Sequence, residues 1–462
     1  MRDSISFFKE LGTTCSPLPG ENMPAIGALR KQGFDRFCQT GIPPQQWKTW
    51  IDQKLIQETD EPFIFQKEAK PYRPIDEYFQ CKIGDINAQV FAFLNGWYIN
   101  HNAPLTTFSD GIIIGSIFEA LTQYPDLVLP YFTSAREKQE NGMIALNQAL
   151  FNDGLFIYIP DNQHVKMPIQ LVSLIESNHN IMVNNRHLII VGKNSKVSVI
   201  QCDDSICFKK SIINNVTEIR LAENATLHYY KMENKDQQSI LVNQVHVEQK
   251  ANSNFLSASI TFNAGYVKNQ IDVELKEPFA STSLNGLYLV DKKQYIDNHV
   301  LVDHQAPDCT SNQLYKGIVD DEAQAYFNGH VIVAPHAQKT AAYQSNRNIT
   351  LTDEAKVISK PFLEIYADDV KCSHGSTVGQ LDESALFYMR SRGLCERSAK
   401  VLLMYAFANE VANCVEIPAL HKSLTSMIQR RLSGELSVCN QCENPCNSPV
   451  QPITFDIDLS KI

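Results

Sequence analysis

The sequence lacks the motifs on which most common hydrolase and dehydrogenase readings depend. No G-x-x-x-x-G-K-[ST] occurs, so the usual phosphate-cradling loop is missing. No G-x-G-x-x-G opens a helix after a strand, which removes the usual dinucleotide site. Neither H-E-x-x-H nor G-x-S-x-G is present, so zinc-peptidase and serine-hydrolase chemistry lack their signatures. There is no basic excess either. The net charge is −10 over 462 residues and Lys and Arg are dispersed, which argues against a protein that tracks a nucleic-acid backbone. No apolar run approaches the roughly 18 residues a membrane span needs. The N-terminus, Met1 to Glu10, has no apolar signal core and no Arg-rich targeting pattern, which points to a cytoplasmic protein.

The chain is too long for one compact core, so two or three domains are expected. Its 12 cysteines read as reduced thiols, mostly core fillers with a few candidate ligands. Residues 1–140 read as a mainly helical domain. Phe7, Phe8 and Leu11 have helical spacing, as do Leu29, Phe34 and Phe37. Pro43-Pro44 before Trp47-Lys48-Thr49-Trp50 suggests a turn into a short helix, and Ile114 to Leu127 another, ended in the Pro125 and Pro130 region. Residues 141–380 read as a β core. From Phe151 on, short alternating runs recur between Gly, Asn, Asp or Lys turns, as in Phe156–Ile159, Lys196–Ile200 and Ser283–Leu289. No helix-length amphipathic pattern separates them, which argues against alternating βαβ units. A β-sandwich or barrel and a parallel β-solenoid both fit. Runs of four or five residues with polar corners favour the solenoid, although no strict repeat is visible. Residues 381–434 read as a helical domain, with helices starting near Asp382, Glu396 and Pro418 and a stop at Gly434. On the second helix the apolar face is read as Ala399, Leu402, Leu403, Ala406, Phe407 and Val411. Residues 435–462 have little periodicity and read as a flexible, Cys-containing tail.

The richest chemistry lies in Ile365–Gln380. Cys372 and His374 sit two residues apart near Asp368-Asp369, where a strand-like segment gives way to a helix. A thiol and a neutral imidazole suit iron or another transition metal. Equal parity puts both on one face of an extended strand, and burial is the default for Cys372. Asp368 or Asp369 is a candidate to fix the His374 tautomer, and a solvated turn is the plainer reading of the pair. His304 and Cys309 read as structural loop residues, His330 and His336 as corner residues. Cys439, Cys442 and Cys446 form C-x-x-C-x-x-x-C, a spacing able to wrap a metal ion, in a segment that reads more simply as an incidental tail.

Four blocks in order resemble the SufB/SufD family of iron–sulfur cluster assembly proteins: Ala145–Pro160, Asp303–Gly317, Ala325–Gly329 with Ala337–Thr340 and Ser345–Asn348, and Cys372–Gln380 running on to Gly393. Ser373-His374-Gly375 followed by Val378-Gly379-Gln380-Leu381-Asp382 resembles the SufD branch rather than the SufB branch, whose motif has His-Glu-Ala. The resemblance implies a right-handed parallel β-helix flanked by N- and C-terminal helical domains. It implies a non-enzymatic scaffold subunit, joined to a SufB-like subunit and to a SufC-like ATPase that contacts the C-terminal helices. His374 would then lie where a transient iron–sulfur cluster forms between subunits; shared parity with His374 leaves an accessory ligand role open for Cys372. A reduced flavin bound at the level of the complex, and a homodimer of the isolated chain, are left open by the resemblance. The alternatives are the SufB-type role itself and, from another class, a β-helix carbohydrate-active enzyme, which would need a carboxylate pair and a long groove.

Overall fold

The structure, a computed structural model, describes residues 4–14, 18, 20–21, 23–42, 61, 63–66, 68–70, 86–100, 102–133, 141–205 and 209–433. Its centre is a parallel β-solenoid of about seven turns. Successive strands alternate between two facing sheets, of eleven and ten strands among the described residues. The first sheet runs through Ile181–Val191, Ser211–Leu221, Ser239–Gln249, Tyr266–Leu275, Tyr295–His304 and Gln324–Val333 to Lys356–Ile365. The second runs through Lys196–Ser205, Thr226–Asn234, Asn254–Asn263, Ser281–Val290, Thr310–Val319 and Ala341–Thr350 to Lys371–Gly379. Each strand therefore pairs in parallel with the next but one, which fits a coil and excludes the sandwich and the closed barrel.

The repeat is legible at one corner. Asn162, Asn194, Asn224 and Asn252 all have φ between 54 and 62°, a conformation Asn tolerates better than most residues. Asn194 Nδ2 donates to Asn162 Oδ1 at 2.9 Å, and Asn224 Nδ2 to Asn194 Oδ1 at 2.8 Å. Phe279, Asp308 and Lys339 continue the column with φ of 64, 58 and 60°. From Asn194 on, the residue after each of these corners is small and buried: Ser195, Ala225, Ser253, Ala280, Cys309 and Thr340. Cys309 is thus a corner filler, its thiol pushed up by burial, as the sequence reading has it. Inside, alternate residues form one long apolar core, exemplified by Val197, Val199, Leu227, Tyr229, Phe255 and Leu284.

The N-terminal region differs from the helical reading in part. Helices Ser4–Thr14 and Pro24–Thr40 form where spacing placed them, and Phe8 and Phe37 pack edge to face at 6.0 Å. The expected helix from Ile114 splits. Ile113–Ser116 is a strand, Ser116 caps a helix Ile117–Gln123, and Pro125 opens a further helix, Pro125–Thr133, instead of ending one. A proline at the first helical position needs no amide donor, which explains the restart. Helix Gly142–Leu150 covers the outer face of the first sheet, where Asn147 Nδ2 donates to the carbonyls of Asn185 and Asn214. The Pro43–Trp50 turn and the tail from 434 on, including Cys439, Cys442 and Cys446, lie outside the described residues.

Two buried histidines make the fold acid-sensitive. Burial pushes the His187 ring down to about 3, and its Nδ1 accepts from Leu155 N at 2.9 Å. Burial pushes His304 down to about 4, with Nε2 2.9 Å from Ser311 Oγ. Both are neutral in the fold, whereas the unfolded chain protonates below about pH 6.5. Stability is therefore complete above that pH and is lost as the pH falls towards the folded values. His304→Gln is expected to flatten the urea-midpoint profile between pH 6 and 4.5 by about 1.4 kcal/mol per pH unit. An unchanged slope would show that His304 carries none of it.

Candidate functional site at the open end of the solenoid

Among the described residues no coil lies beyond the last one. Lys356–Ile365 and Lys371–Gly379 are the terminal strands of the two sheets. The edges carry exposed apolar side chains, Ile358, Phe362, Ile365 and Tyr366 on one strand and its turn, Val378 on the other. Unpaired strand edges with apolar surface invite another chain to continue the sheet.

His374 lies on this last strand and is exposed. Its register partner one coil back is Gln344, as Ala342 is for Cys372 and Asn346 for Ser376. Partners in a parallel ladder point to the same face. Gln344, Asn346 and Ala342 are 3 % exposed or less and face the solenoid interior, so Cys372, His374 and Ser376 look down the open end of the core. Ser376 Oγ reaches Ser359 Oγ of the facing strand at 2.8 Å, which closes the rim. Below the rim the interior is polar. Asn348 Nδ2 donates to Asn346 Oδ1 at 2.7 Å, Tyr288 Oη lies 2.5 Å from Asn348 Oδ1, and Gln344 Nε2 donates to Gln313 Oε1 at 2.8 Å.

The structure places Cys372 and His374 on one face, as parity requires. Cys372 is half-buried against the cluster of Val331, Val333, Ala337, Ala342 and Ala367, and burial pushes its thiol up. A thiol held protonated is a weak ligand until a metal displaces the proton. Asp368 and Asp369 do not approach the imidazole. They lie in the exposed corner before the strand, where Asp369 N donates to Gln338 Oε1 at 2.9 Å and Asp369 O accepts from Lys339 N. Five residues of extended chain separate Asp369 from His374, roughly 16 Å. His330 pairs with Glu364 at 2.9 Å and His336 sits at an exposed corner. Sequence reasoning missed Gln313, Gln344, Asn346 and Asn348, because polar residues on an alternating strand read as its solvent face.

The C-terminal helices follow at once. Glu396–Ala412 and Pro418–Leu432 cover the outer face of the second sheet, against Ile200, Tyr230, Ile260, Leu287 and Ile318. Lys316 Nζ reaches Glu410 and the Phe407 carbonyl, and Arg431 pairs with Asp291 at 2.8 Å. The buried stripe of the middle helix is Ala399, Met404, Ala408, Val411 and Ala412, which corrects the expected face: Ala406 is exposed. That helix is apolar on most sides, so periodicity alone picked the wrong stripe. Helix Glu383–Ser391 buries no residue, and Phe387 is 74 % exposed beside an exposed Tyr388.

The class of protein is a coiled two-sheet body that ends, among the described residues, in two terminal strands with a histidine on the last coil and an unburied aromatic helix beside it. Its residues 174–407 match the model of the SUF system FeS cluster assembly, SufBD core domain, and residues 7–171 match the SufBD protein N-terminal region. The chain belongs to the SufBD family of iron–sulfur cluster assembly proteins. It is 30 % identical to the iron–sulfur cluster assembly protein SufD of Escherichia coli over 87 % of this chain and 92 % of that one. Identity to SufD of Bacillus subtilis is 28 %, over 70 % and 74 % of the two chains. A SufBD family protein of Synechocystis is 33 % identical over 62 % of this chain, which spans only 65 % of that relative. No described helix is long and apolar enough to cross a membrane.

Proposed function

We propose that this chain is a scaffold subunit of the SUF assembly complex, of the SufD kind, with no turnover of its own. Its open end joins a SufB-like subunit, and a nascent iron–sulfur cluster, the cargo, is built at the joint. A SufC-like ATPase docks on the C-terminal helices. The observation that carries this reading is His374 on the last, uncapped coil. A second solenoid continuing both edges would bring its own ligands within reach of the imidazole. A neutral imidazole supplies a borderline nitrogen ligand suited to ferrous iron, and thiolates from the partner would supply the softer positions.

The two docking surfaces are separable. Ile358→Asp with Phe362→Asp is expected to weaken association with the SufB-like subunit at least about 30-fold, the loss of one hot spot. Phe387→Asp with Tyr388→Asp is expected to weaken binding of the ATPase by a similar factor and to spare the other joint. Size-exclusion chromatography of the mixed, purified subunits reads both. Association untouched by either pair would remove the proposal.

A further inference from the structure

We infer that Gln344 orients His374 and fixes its tautomer once the subunits are joined: its Oε1, which bonds nothing in the structure of the single chain, then accepts one imidazole N–H, and the other nitrogen presents its lone pair to incoming iron. This rests on the reading of His374 as the cluster-facing ligand and adds a positioning residue to it. Gln344 is one coil below His374, in direct register and on the same interior face. It is 3 % exposed, so its amide has little access to water. Nε2 is committed, donating to Gln313 Oε1 one coil further down at 2.8 Å. The amide crosses the interior over Gly329 of the facing sheet, where an added Cβ would lie 1.7 Å from Gln344 Nε2. Glycine there is what leaves room for the amide.

Gln344 Oε1 has no hydrogen-bond partner among the described residues. A buried carbonyl without a partner costs roughly 1–3 kcal/mol, so such an acceptor calls for a donor. Its neighbours in the ladder are Gln313 below, whose Oε1 already accepts from Gln344 Nε2 and whose own Nε2 also makes no hydrogen bond to Gln344 Oε1, and His374 above. His374 is the ionisable donor nearest in register, and the carboxylates expected to hold it, Asp368 and Asp369, are tied into the distant corner. Metal-binding histidines typically donate their second ring N–H to an oxygen acceptor, which sets the tautomer and the ring plane. A carboxamide does this without a charge, whereas an ionised carboxylate in the same buried place would carry a desolvation cost. An uncharged support places no additional charge beside the imidazole, which binds iron in its neutral form.

Gln344→Met keeps the side-chain volume and removes the acceptor; Gln344→Glu keeps an oxygen acceptor. Nitrogen-15 imidazole shifts of the assembled, iron-free complex report the His374 tautomer, and anaerobic cluster assembly on the same complex reports function. Wild type is expected to hold one tautomer and Gln344→Met a mixture, with cluster yield or iron affinity lower by about 10–100-fold. Gln344→Glu is expected to retain the single tautomer and a yield within a few-fold of wild type. Circular dichroism and thermal melts show that the variants compared are folded. A wild-type tautomer and yield in folded Gln344→Met, with His374→Ala inactive, would overturn the role of Gln344 and leave the function standing. Full activity of His374→Ala would overturn both.

Discussion

Replacing His374 by Ala is expected to abolish cluster formation on the assembled complex while leaving the fold and the subunit contacts intact. The side chain is exposed on an uncapped coil, so truncation opens no cavity and is expected to change stability by no more than about 0.5 kcal/mol. The loss falls on chemistry. Of the interior-facing residues on the last strand, Cys372, His374, Ser376 and Val378, only the imidazole offers a strong neutral donor at neutral pH. The Cys372 thiol is pushed towards its protonated form by burial. Cys372→Ala is therefore expected to lower the yield far less than His374→Ala. Anaerobic reconstitution with ferrous iron and a sulfide source, followed by the visible absorption of the cluster, compares the two. Equal yields from wild type and His374→Ala would remove the imidazole from the reaction.

The largest stability effect is expected at Lys231. Its Nζ lies 3.2 Å from Glu233 Oε1 and 3.9 Å from Asp203 Oδ2, with all three side chains 5 % exposed or less. Glu233 is further held by Thr261 at 2.6 Å and by Asn243 at 2.8 Å. Burial raises the Asp203 carboxyl even with Lys231 beside it. Lys231→Met preserves the stem and removes the charge, leaving Glu233 without its paired cation and Asp203 with only the lesser attraction of Lys235. Breaking a buried pair on one side costs roughly 3–5 kcal/mol. A carboxyl raised in the fold contributes stability at low pH that is lost as the pH rises through its folded value. The deficit is therefore expected to be greatest at neutral pH and to shrink on acidification. Urea unfolding at pH 7 and pH 5 checks the size and the sign; a loss below 1 kcal/mol at pH 7 would show that the interior is wetter than its burial implies.

Much of this was legible in the residues. The corner repeat is visible once the register is known: Asn194-Ser195-Lys196-Val197, Asn224-Ala225-Thr226-Leu227 and Asn252-Ser253-Asn254-Phe255 share a left-handed residue, a small buried one and an inward apolar one. Phe279 and Lys339 hide it further on, because exposed corners accept other side chains at a modest conformational cost. The terminal strand and the three C-terminal helices followed from local signals, as at Pro418, which opens the last helix. The polar interior did not. An alternating strand tells which residues share a face, and only the facing sheet tells that Gln313, Gln344 and Asn346 point inward. The separation of Asp369 from His374 likewise depends on where the corner falls, which no spacing reveals.

Only Gln380, Leu381 and Asp382 lie between the strand carrying His374 and helix Glu383–Ser391. Asp382 caps that helix through the amides of Ser384 and Ala385, at 2.8 and 3.2 Å, so the joint has little slack. The helix buries nothing of its own and is free to be gripped. A force applied to Phe387 thus passes along two short links, through Asp382 to the terminal strand and through the Arg390–Glu396 pair at 3.6 Å to helix Glu396–Ala412, as a handle moves the bolt beside it.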